Sequence, residues 1–196
     1  MKELTKYKLN NISKNLDYYF NLANESEIKS GLNWYKEAND ICKDIAQKYN
    51  TNTFIAASVI SALSPRNKWS QNILDAYKVF EAIENNITPE QIKVCTFHTN
   101  KFKAFNIVNN NIQITNKSLK TYNFVNNIAL LSESHLTIDI WHLRACMHKS
   151  IKISSASIGR LAYSQIKELT INKANKLGLS GYQYQAIIWG AIRNNN

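Results

Sequence analysis

Residues 54–63 form an apolar run that restricts the fold of this 196-residue chain more than any other feature of its sequence. The run, FIAASVISAL, is apolar on nearly every side, as expected for a helix at the centre of a helical core. It ends at Ser64-Pro65, and helical spacing of apolar residues resumes over residues 69–82. Similar stripes lie at residues 16–23 and 34–46, and only two prolines and five glycines are present in the chain. We therefore predict an all-α fold with about ten helices.

The size of the chain allows either one core or two small lobes that share a cleft. No internal repeat and no long flexible linker is visible in the sequence. The one candidate for a strand is NIQIT at residues 111–115, where apolar and polar residues alternate.

The formal net charge of +10 lies entirely in the second half of the chain. Residues 1–90 carry eleven basic and eleven acidic side chains, whereas residues 91–196 carry thirteen basic and three acidic ones. An excess of this kind favours a polyanionic partner, with nucleic acid ahead of an anionic membrane. A basic face that is merely solvated is the alternative.

Neither a membrane-spanning run nor a signal peptide is visible in the sequence. We therefore expect a soluble monomer in the cytoplasm (the host cytoplasm if a phage encodes it), with no membrane partner. The three cysteines are far apart and odd in number, which argues against a disulfide framework. His142 and Cys146 would share a helix face, but they make only half a zinc site, so we expect no metal and no cofactor.

Asp139 is the only aspartate after Asp75, and it lies within an apolar run at residues 136–143. A carboxylate in such a segment is costly to bury unless it is hydrogen-bonded or has a functional role. One interpretation is a helix N-cap, which accepts the free amides of the first turn. The other is catalysis, and the two are compatible because a capped aspartate is ordered and kept ionised. Lys120, nineteen positions earlier, begins a helix-like stretch and is the natural partner for this aspartate.

Four segments, in this order, resemble the helix-hairpin-helix DNA glycosylases, the superfamily of endonuclease III and 8-oxoguanine glycosylase. Residues 60–72 (ISALSPRNKWSQN) are similar to a buried helix that ends in a Leu-Ser turn, and residues 98–107 to a helix containing Lys-Ala. Lys120-Thr121 falls where the hairpin places its lysine, and residues 137–144 (TIDIWHLR) resemble the Val-Asp-x-His segment with the catalytic aspartate. The separation of this lysine from Asp139 matches the family spacing to within a residue.

Three further fragments resemble an uncharacterised phage-encoded branch of this superfamily: Gly31–Tyr35, Ser64–Arg66 and Gln185–Trp189. The chain also departs from the family. The hairpin normally reads Leu-Pro-Gly-x-Gly before its lysine, whereas residues 115–119 (TNKSL) contain no glycine. Asn116 would have to adopt the turn and Lys117 would supply charge. The four cysteines that hold an iron–sulfur cluster in many members are also absent.

The resemblance implies a two-lobed glycosylase-like fold, with residues 51–139 in one lobe and residues 1–50 plus 140–196 in the other. It implies a protein that flips a damaged or modified base out of double-stranded DNA and cleaves its glycosidic bond. Asp139 would oppose the positive charge that develops on the sugar. Lys120 would either contact phosphate or attack the sugar as a Schiff-base nucleophile, which would permit strand cleavage.

The remaining site predictions concern contacts with DNA. Arg66, Asn67 and Lys68 are candidates for the side chains that probe the base stack. The other predicted DNA contacts are basic residues of the second half: Lys101, Lys103, Lys117 and Arg144. The predicted base pocket consists of ring-bearing side chains near the two catalytic candidates: Tyr122, Trp141 and His142.

Two other functions stay open at this point. One is a catalytically inactive DNA-binding protein on the same scaffold, in which Asp139 is a structural cap. The other is an enzyme that processes modified nucleotides as small molecules, for which DNA affinity would be weak despite the charge.

Overall fold

The structure, a computed structural model, describes residues 3–148 and 158–194. Within these ranges the chain forms nine α-helices and a 3₁₀ turn, and it contains no strand. The all-α prediction is therefore confirmed, as is the approximate number of helices. The helices are α1 (Lys6–Leu22), α2 (Glu25–Lys48), α3 (Thr53–Leu63), α4 (Trp69–Glu84), α5 (His98–Val108), α6 (Leu119–Leu130), α7 (Ile140–Met147), α8 (Arg160–Lys176) and α9 (Gly181–Asn194), and the 3₁₀ turn is Pro89–Gln91. None of these helices is long and apolar enough to cross a membrane.

The strand considered at residues 111–115 does not form. Helix α5 ends at Val108, Asn110 follows in the left-handed region at φ 58°, and the Asn111 amide donates to the Asn106 carbonyl at 2.8 Å. The following residues connect α5 to α6 irregularly, with Ile114 buried. No strand lies beside them in the described part of the chain, so their backbone groups have no ladder to join.

The chain divides into two compact units. The central unit is Glu37–Leu131, and the terminal unit consists of the described residues up to Lys36 and from Ser132 onward. The unit boundaries differ from the predicted lobe limits at residues 50/51 and 139/140. Part of the second lobe predicted for residues 140–196, namely 149–157 and 195–196, lies outside the described residues.

The difference at the first boundary comes from the second half of α2. There the Asn39 side-chain amide donates to the carbonyls of Ile128 and Ala129, at 2.8 and 3.0 Å, and so caps the end of α6. Helix α6 itself stops at Leu131, which adopts a left-handed conformation with φ 49°. The segment that follows belongs to the terminal unit, so Asp139 lies inside that unit rather than at its edge.

Helix α3 is the core element of the central unit, as its composition predicts. Residues 56–63 are all buried, and the helix packs against α4, α5 and α6. Because several of its side chains are small, neighbouring helices can approach it closely from more than one side. This packing fixes the position of the loop that leaves α3 at Ser64.

In the terminal unit, α1 packs against α7, α8 and α9, and α9 packs against α7 and α8. The N-terminal half of α2 approaches α9 closely, because a Cβ atom at Gly31 would lie only 2.6 Å from the Ile187 backbone nitrogen. The short helix α7 is tied to α1 by the Asn15 amide, which donates to the Cys146 carbonyl at 2.8 Å. These contacts hold the helix that begins at Asp139.

Candidate functional site

Asp139 is the N-cap of α7. Its backbone is extended, and its Oδ1 atom accepts a hydrogen bond from the His142 amide at 2.8 Å. The residue is half-buried, whereas the three residues before it are buried. The capping interpretation is therefore confirmed, and the first-turn amide holds the carboxylate in a defined orientation.

The segment that leads to Asp139 is fixed from two sides. The Tyr163 hydroxyl of α8 donates to the Leu136 carbonyl at 2.8 Å and accepts from the Ile138 amide at 3.1 Å. On the α2 side, the Tyr35 hydroxyl donates to Gln185 Oε1 at 3.0 Å. Burial raises the pKa of Tyr35, a hydrogen bond with Thr137 opposes that rise, and the negative charge of Asp139 adds to it. Asp139 is thus presented by a backbone that both α2 and α8 restrain.

His142 lies in the interior of the terminal unit, with 1 % of its surface exposed. The Thr170 hydroxyl donates to the Ile166 carbonyl at 2.8 Å, so His142 Nε2 must be the donor in its 3.2 Å contact with that hydroxyl. The other ring nitrogen, Nδ1, is buried without a hydrogen-bond partner. Burial lowers the pKa of His142 to about 4, and the ring is therefore neutral near pH 7. This buried position does not suit the predicted role in a base pocket.

Trp141 supports two arginine side chains. The Arg144 guanidinium carbon lies 4.5 Å from the centroid of the Trp141 ring, and that of Arg193 lies 5.9 Å from it. Arg193 also lies 4.7 Å from the centroid of the Trp189 ring. We call these four residues the Arg–Trp cluster. Trp141 is partly exposed, but guanidinium groups lie over its ring, so the predicted stacking of a flipped base would have to displace one of them.

Sequence analysis missed Arg193, although one signal was present. Trp189 and Arg193 are four residues apart on α9 and therefore lie on the same helix face. The contact of Arg193 with Trp141 joins residues from distant parts of the chain, and only the packing of α9 against α7 shows it.

In the central unit, the loop between α3 and α4 carries Arg66, Asn67 and Lys68, the predicted probes of the base stack. Arg66 has a positive φ of 57°, and its guanidinium lies 5.3 Å from the ring centroid of Phe97. Both side chains are exposed, as is that of Lys68. A left-handed conformation is uncommon for an arginine, so the surrounding contacts must hold this loop in place.

Asp75 provides those contacts, and sequence analysis did not identify it as a site residue. Its carboxylate is fully buried on α4, and its Oδ2 accepts from Asn67 Nδ2 at 2.9 Å and from the Cys95 amide at 2.7 Å. Its Oδ1 accepts from Gln71 Nε2 at 2.9 Å. Asp75 thus joins the Arg66 loop to the segment that carries Phe97. Its place on the apolar face of α4, one residue before Ala76, was the available sequence signal.

The predicted basic contacts of the central unit differ in exposure. Lys101 is only 4 % exposed, and its ammonium donates to the Ile92 carbonyl at 2.8 Å, so its position does not suit the predicted DNA contact. Lys103 is partly exposed on α5. Lys117 and Lys120 are exposed near the start of α6, where they can meet a phosphate backbone.

The glycine-free start of α6 forms a turn in which the Ser118 amide donates to the Thr115 carbonyl at 3.1 Å. Asn116 does not adopt a positive φ. The left-handed turn that glycines would provide is therefore not made by an asparagine here. Lys120 lies in the first turn of α6, and Tyr122 lies partly buried after it. Because Lys120 belongs to the central unit and Asp139 to the terminal unit, their pairing stays a prediction.

Within residues 3–148 and 158–194, no group of three or more His, Cys, Asp or Glu side chains comes close enough to hold a metal ion. A surface depression of about 390 Å³ lies on the central unit, with Lys78, Lys93 and Glu81 in its lining. It contains none of the predicted site residues.

Comparison with known proteins adds a family but no function. No curated protein and no solved structure matches the chain. One family model, described as "Family of unknown function (DUF7178)", matches residues 1–196. Because the match covers the whole chain, this protein belongs to the DUF7178 family.

Proposed function

We propose that this protein binds double-stranded DNA and excises a damaged or modified base, with Asp139 stabilising the positive charge that develops on the sugar. The observation that carries the proposal is the presentation of Asp139. The residue is half-buried, and its carboxylate accepts a 2.8 Å hydrogen bond from the His142 amide in the first turn of α7. The Tyr163 hydroxyl restrains the backbone segment that precedes it. A carboxylate fixed before the reaction stabilises developing charge without the cost of reorganising it.

The charge distribution supports DNA as the partner. The excess of basic residues lies in the second half of the chain, and Arg66, Lys68, Lys117 and Lys120 are exposed on the central unit. On the terminal unit, Arg144 is held over Trp141 close in sequence to Asp139. Contacts of this kind dominate affinity for DNA and make binding sensitive to salt.

The loop between α3 and α4 supports the role of a rigid probe. Arg66 and Phe97 form an exposed pair, and they come from two different segments of the chain. The buried Asp75 carboxylate is hydrogen-bonded to both segments, through Asn67 and the Cys95 amide. A rigid element of this kind is suited to entering a base stack, because few side-chain rotamers are lost when it binds. In this proposal Lys120 contacts a phosphate or forms a Schiff base with the sugar, and the two roles have different consequences in the assay below.

The test is base release from duplexes that contain uracil, 8-oxoguanine, alkylated bases or an abasic site, read by alkali cleavage and by borohydride trapping. Asp139→Asn is the informative variant, because asparagine caps a helix as well as aspartate does but carries no charge. We expect this variant to keep its fold and its DNA affinity and to lose about 10²–10³-fold in the rate of base release. The matched control is Glu168→Gln, which removes an exposed carboxylate from the same unit.

Lys120→Ala separates the two roles of the lysine. Loss of the trapped adduct with retained base release would establish Lys120 as the Schiff-base nucleophile. A uniform loss of affinity with no trapped adduct in the wild type would make it a phosphate contact. If Asp139→Asn released bases as fast as wild type, the proposed role of Asp139 would be refuted.

A second candidate function is DNA binding without catalysis, and a specific observation favours it. Capping of α7 accounts for Asp139 without any reaction, and the start of α6 lacks the left-handed glycine turn of the family hairpin. For this function, wild type would bind every duplex in a salt-sensitive manner and release no base. Asp139→Ala would then lower stability by about 1 kcal/mol through loss of the cap and would leave binding unchanged.

A further inference from the structure

We infer that Arg144 and Arg193, held together on Trp141, form a phosphodiester-binding site on the terminal unit. Neither the family match nor the sequence pattern assigns a role to Arg193, and this site makes it a DNA-contact residue. The inference rests on the DNA binding proposed above but does not depend on base excision.

The two guanidinium groups lie around one indole ring. They lie 4.5 and 5.9 Å from the same ring centroid, so they are no more than about 10 Å apart. Arg193 is also held against the Trp189 ring at 4.7 Å, and Trp189 packs edge-on against Trp34 at 5.8 Å. The indole rings therefore limit the freedom of both arginines, which lowers the entropy lost when an anion binds.

The same two side chains bring two positive charges to this surface. Neither arginine forms an ion pair with a carboxylate in the described part of the chain. Glu27 packs near the end of α9, but its carboxylate accepts from the Asn24 amide at 2.9 Å and from Asn194 Nδ2 at 2.8 Å. Because no carboxylate pairs with either guanidinium in the described part of the chain, a phosphate group that approaches this surface is attracted by both positive charges.

A phosphate group is the anion that suits two guanidinium groups supported by an aromatic ring. A guanidinium group donates two parallel hydrogen bonds to a phosphate, and it keeps that ability while its flat face rests on an aromatic ring. DNA provides closely spaced phosphates along each strand, so neighbouring guanidinium groups can be occupied at once. The role of Trp141 is then to position the arginines, whereas sequence analysis assigned this ring to the base pocket.

The experiment measures the affinity of the full chain for a short fluorescein-labelled duplex by anisotropy over a range of salt concentrations. Arg193→Gln should weaken binding about tenfold at low salt, as expected for loss of a charge-assisted hydrogen bond. It should also reduce the slope of log K against log salt by about 0.9, which corresponds to one phosphate contact. Arg144→Gln should do the same, and the double variant should lose about twice as much slope.

Two further variants separate this site from a general effect of charge. Arg160→Gln is the matched control, because it removes an exposed arginine from the same unit, and no aromatic ring of the described residues lies against that side chain. It should change the slope little. Arg193→Lys keeps the charge but loses the flat guanidinium, so it should bind more weakly than wild type. Neither substitution enters the core, and circular dichroism will verify that each variant folds.

The outcomes are distinct. Equal effects of Arg160→Gln and Arg193→Gln would overturn the inference, since the charge alone would then explain binding. The inference would also be overturned if Arg193→Gln weakened binding to phosphatidylserine vesicles but not to the duplex. If the arginine-dependent slope is found while no base is released, this site stands and the excision proposal fails. If bases are released and neither arginine affects binding, only this site fails.

Discussion

His142 gives the sharpest test of the terminal unit, because its neutrality has a measurable effect on stability. Burial lowers its pKa from 6.5 to about 4. Between these two pH values the ring is mostly neutral in the folded protein and mostly protonated in the unfolded chain. The free energy of unfolding should therefore be unaffected by this group above pH 6.5 and should fall as the pH drops toward 4. The full effect of this pKa difference is about 3 kcal/mol, of which about 2 kcal/mol develops between pH 7 and pH 5.

The perturbation is His142→Gln, which keeps a side-chain amide able to donate to Thr170 but cannot titrate. Carboxylates also titrate near pH 5, so the informative quantity is the difference between wild type and variant. We expect the stability advantage of wild type at pH 7 to shrink by about 2 kcal/mol at pH 5. The assay is urea unfolding followed by tryptophan fluorescence at several pH values, with linear extrapolation to water.

His98→Gln serves as the control, because it removes an imidazole from an exposed position instead of a buried one. Parallel curves for His142→Gln and wild type would refute the reasoning, because His142 would then titrate alike in both states. A difference that widened toward pH 5 would mean that the folded protein stabilises the charged ring. Either result would contradict the buried and neutral state of the His142 ring described above.

Two further predictions concern packing inside each unit, at Asp75 in the central unit and at Gly31 in the terminal unit. Asp75→Ala leaves the Cys95 amide and two side-chain amides without their acceptor, and it should lower the free energy of unfolding by on the order of 4 kcal/mol, as measured by urea unfolding. Asp75→Asn should cost about half as much, because it can keep one acceptor; equal costs would show that charge rather than hydrogen bonding matters. Gly31→Ala should lower the melting temperature strongly, because its Cβ would lie 2.6 Å from the Ile187 nitrogen and 2.8 Å from its Cα. The matched change Gly190→Ala, whose Cβ meets nothing closer than 3.5 Å, should be neutral or stabilise α9 by up to about 1 kcal/mol, so a similar loss at both positions would contradict the close approach of α2 to α9.

The sequence by itself determined the elements of the fold. The apolar run at residues 54–63 identifies the buried helix, and the stripes at residues 16–23, 34–46 and 69–82 identify α1, α2 and α4. It also determined the cap at Asp139, because an aspartate before an apolar helix has few other local uses. These features depend on contacts within a few residues, which periodicity and capping preferences describe directly.

The tertiary structure alone decided how those elements combine into sites. Lys101 is a lysine that sequence assigns to the surface, yet its ammonium is buried because the Ile92 carbonyl lies within reach. Arg193 approaches Trp141 only because α9 packs against α7, and Asp75 reaches Cys95 only because α4 packs against the start of α5. Burial and partnership of a polar side chain depend on residues far away in sequence, and local patterns carry no information about those distances.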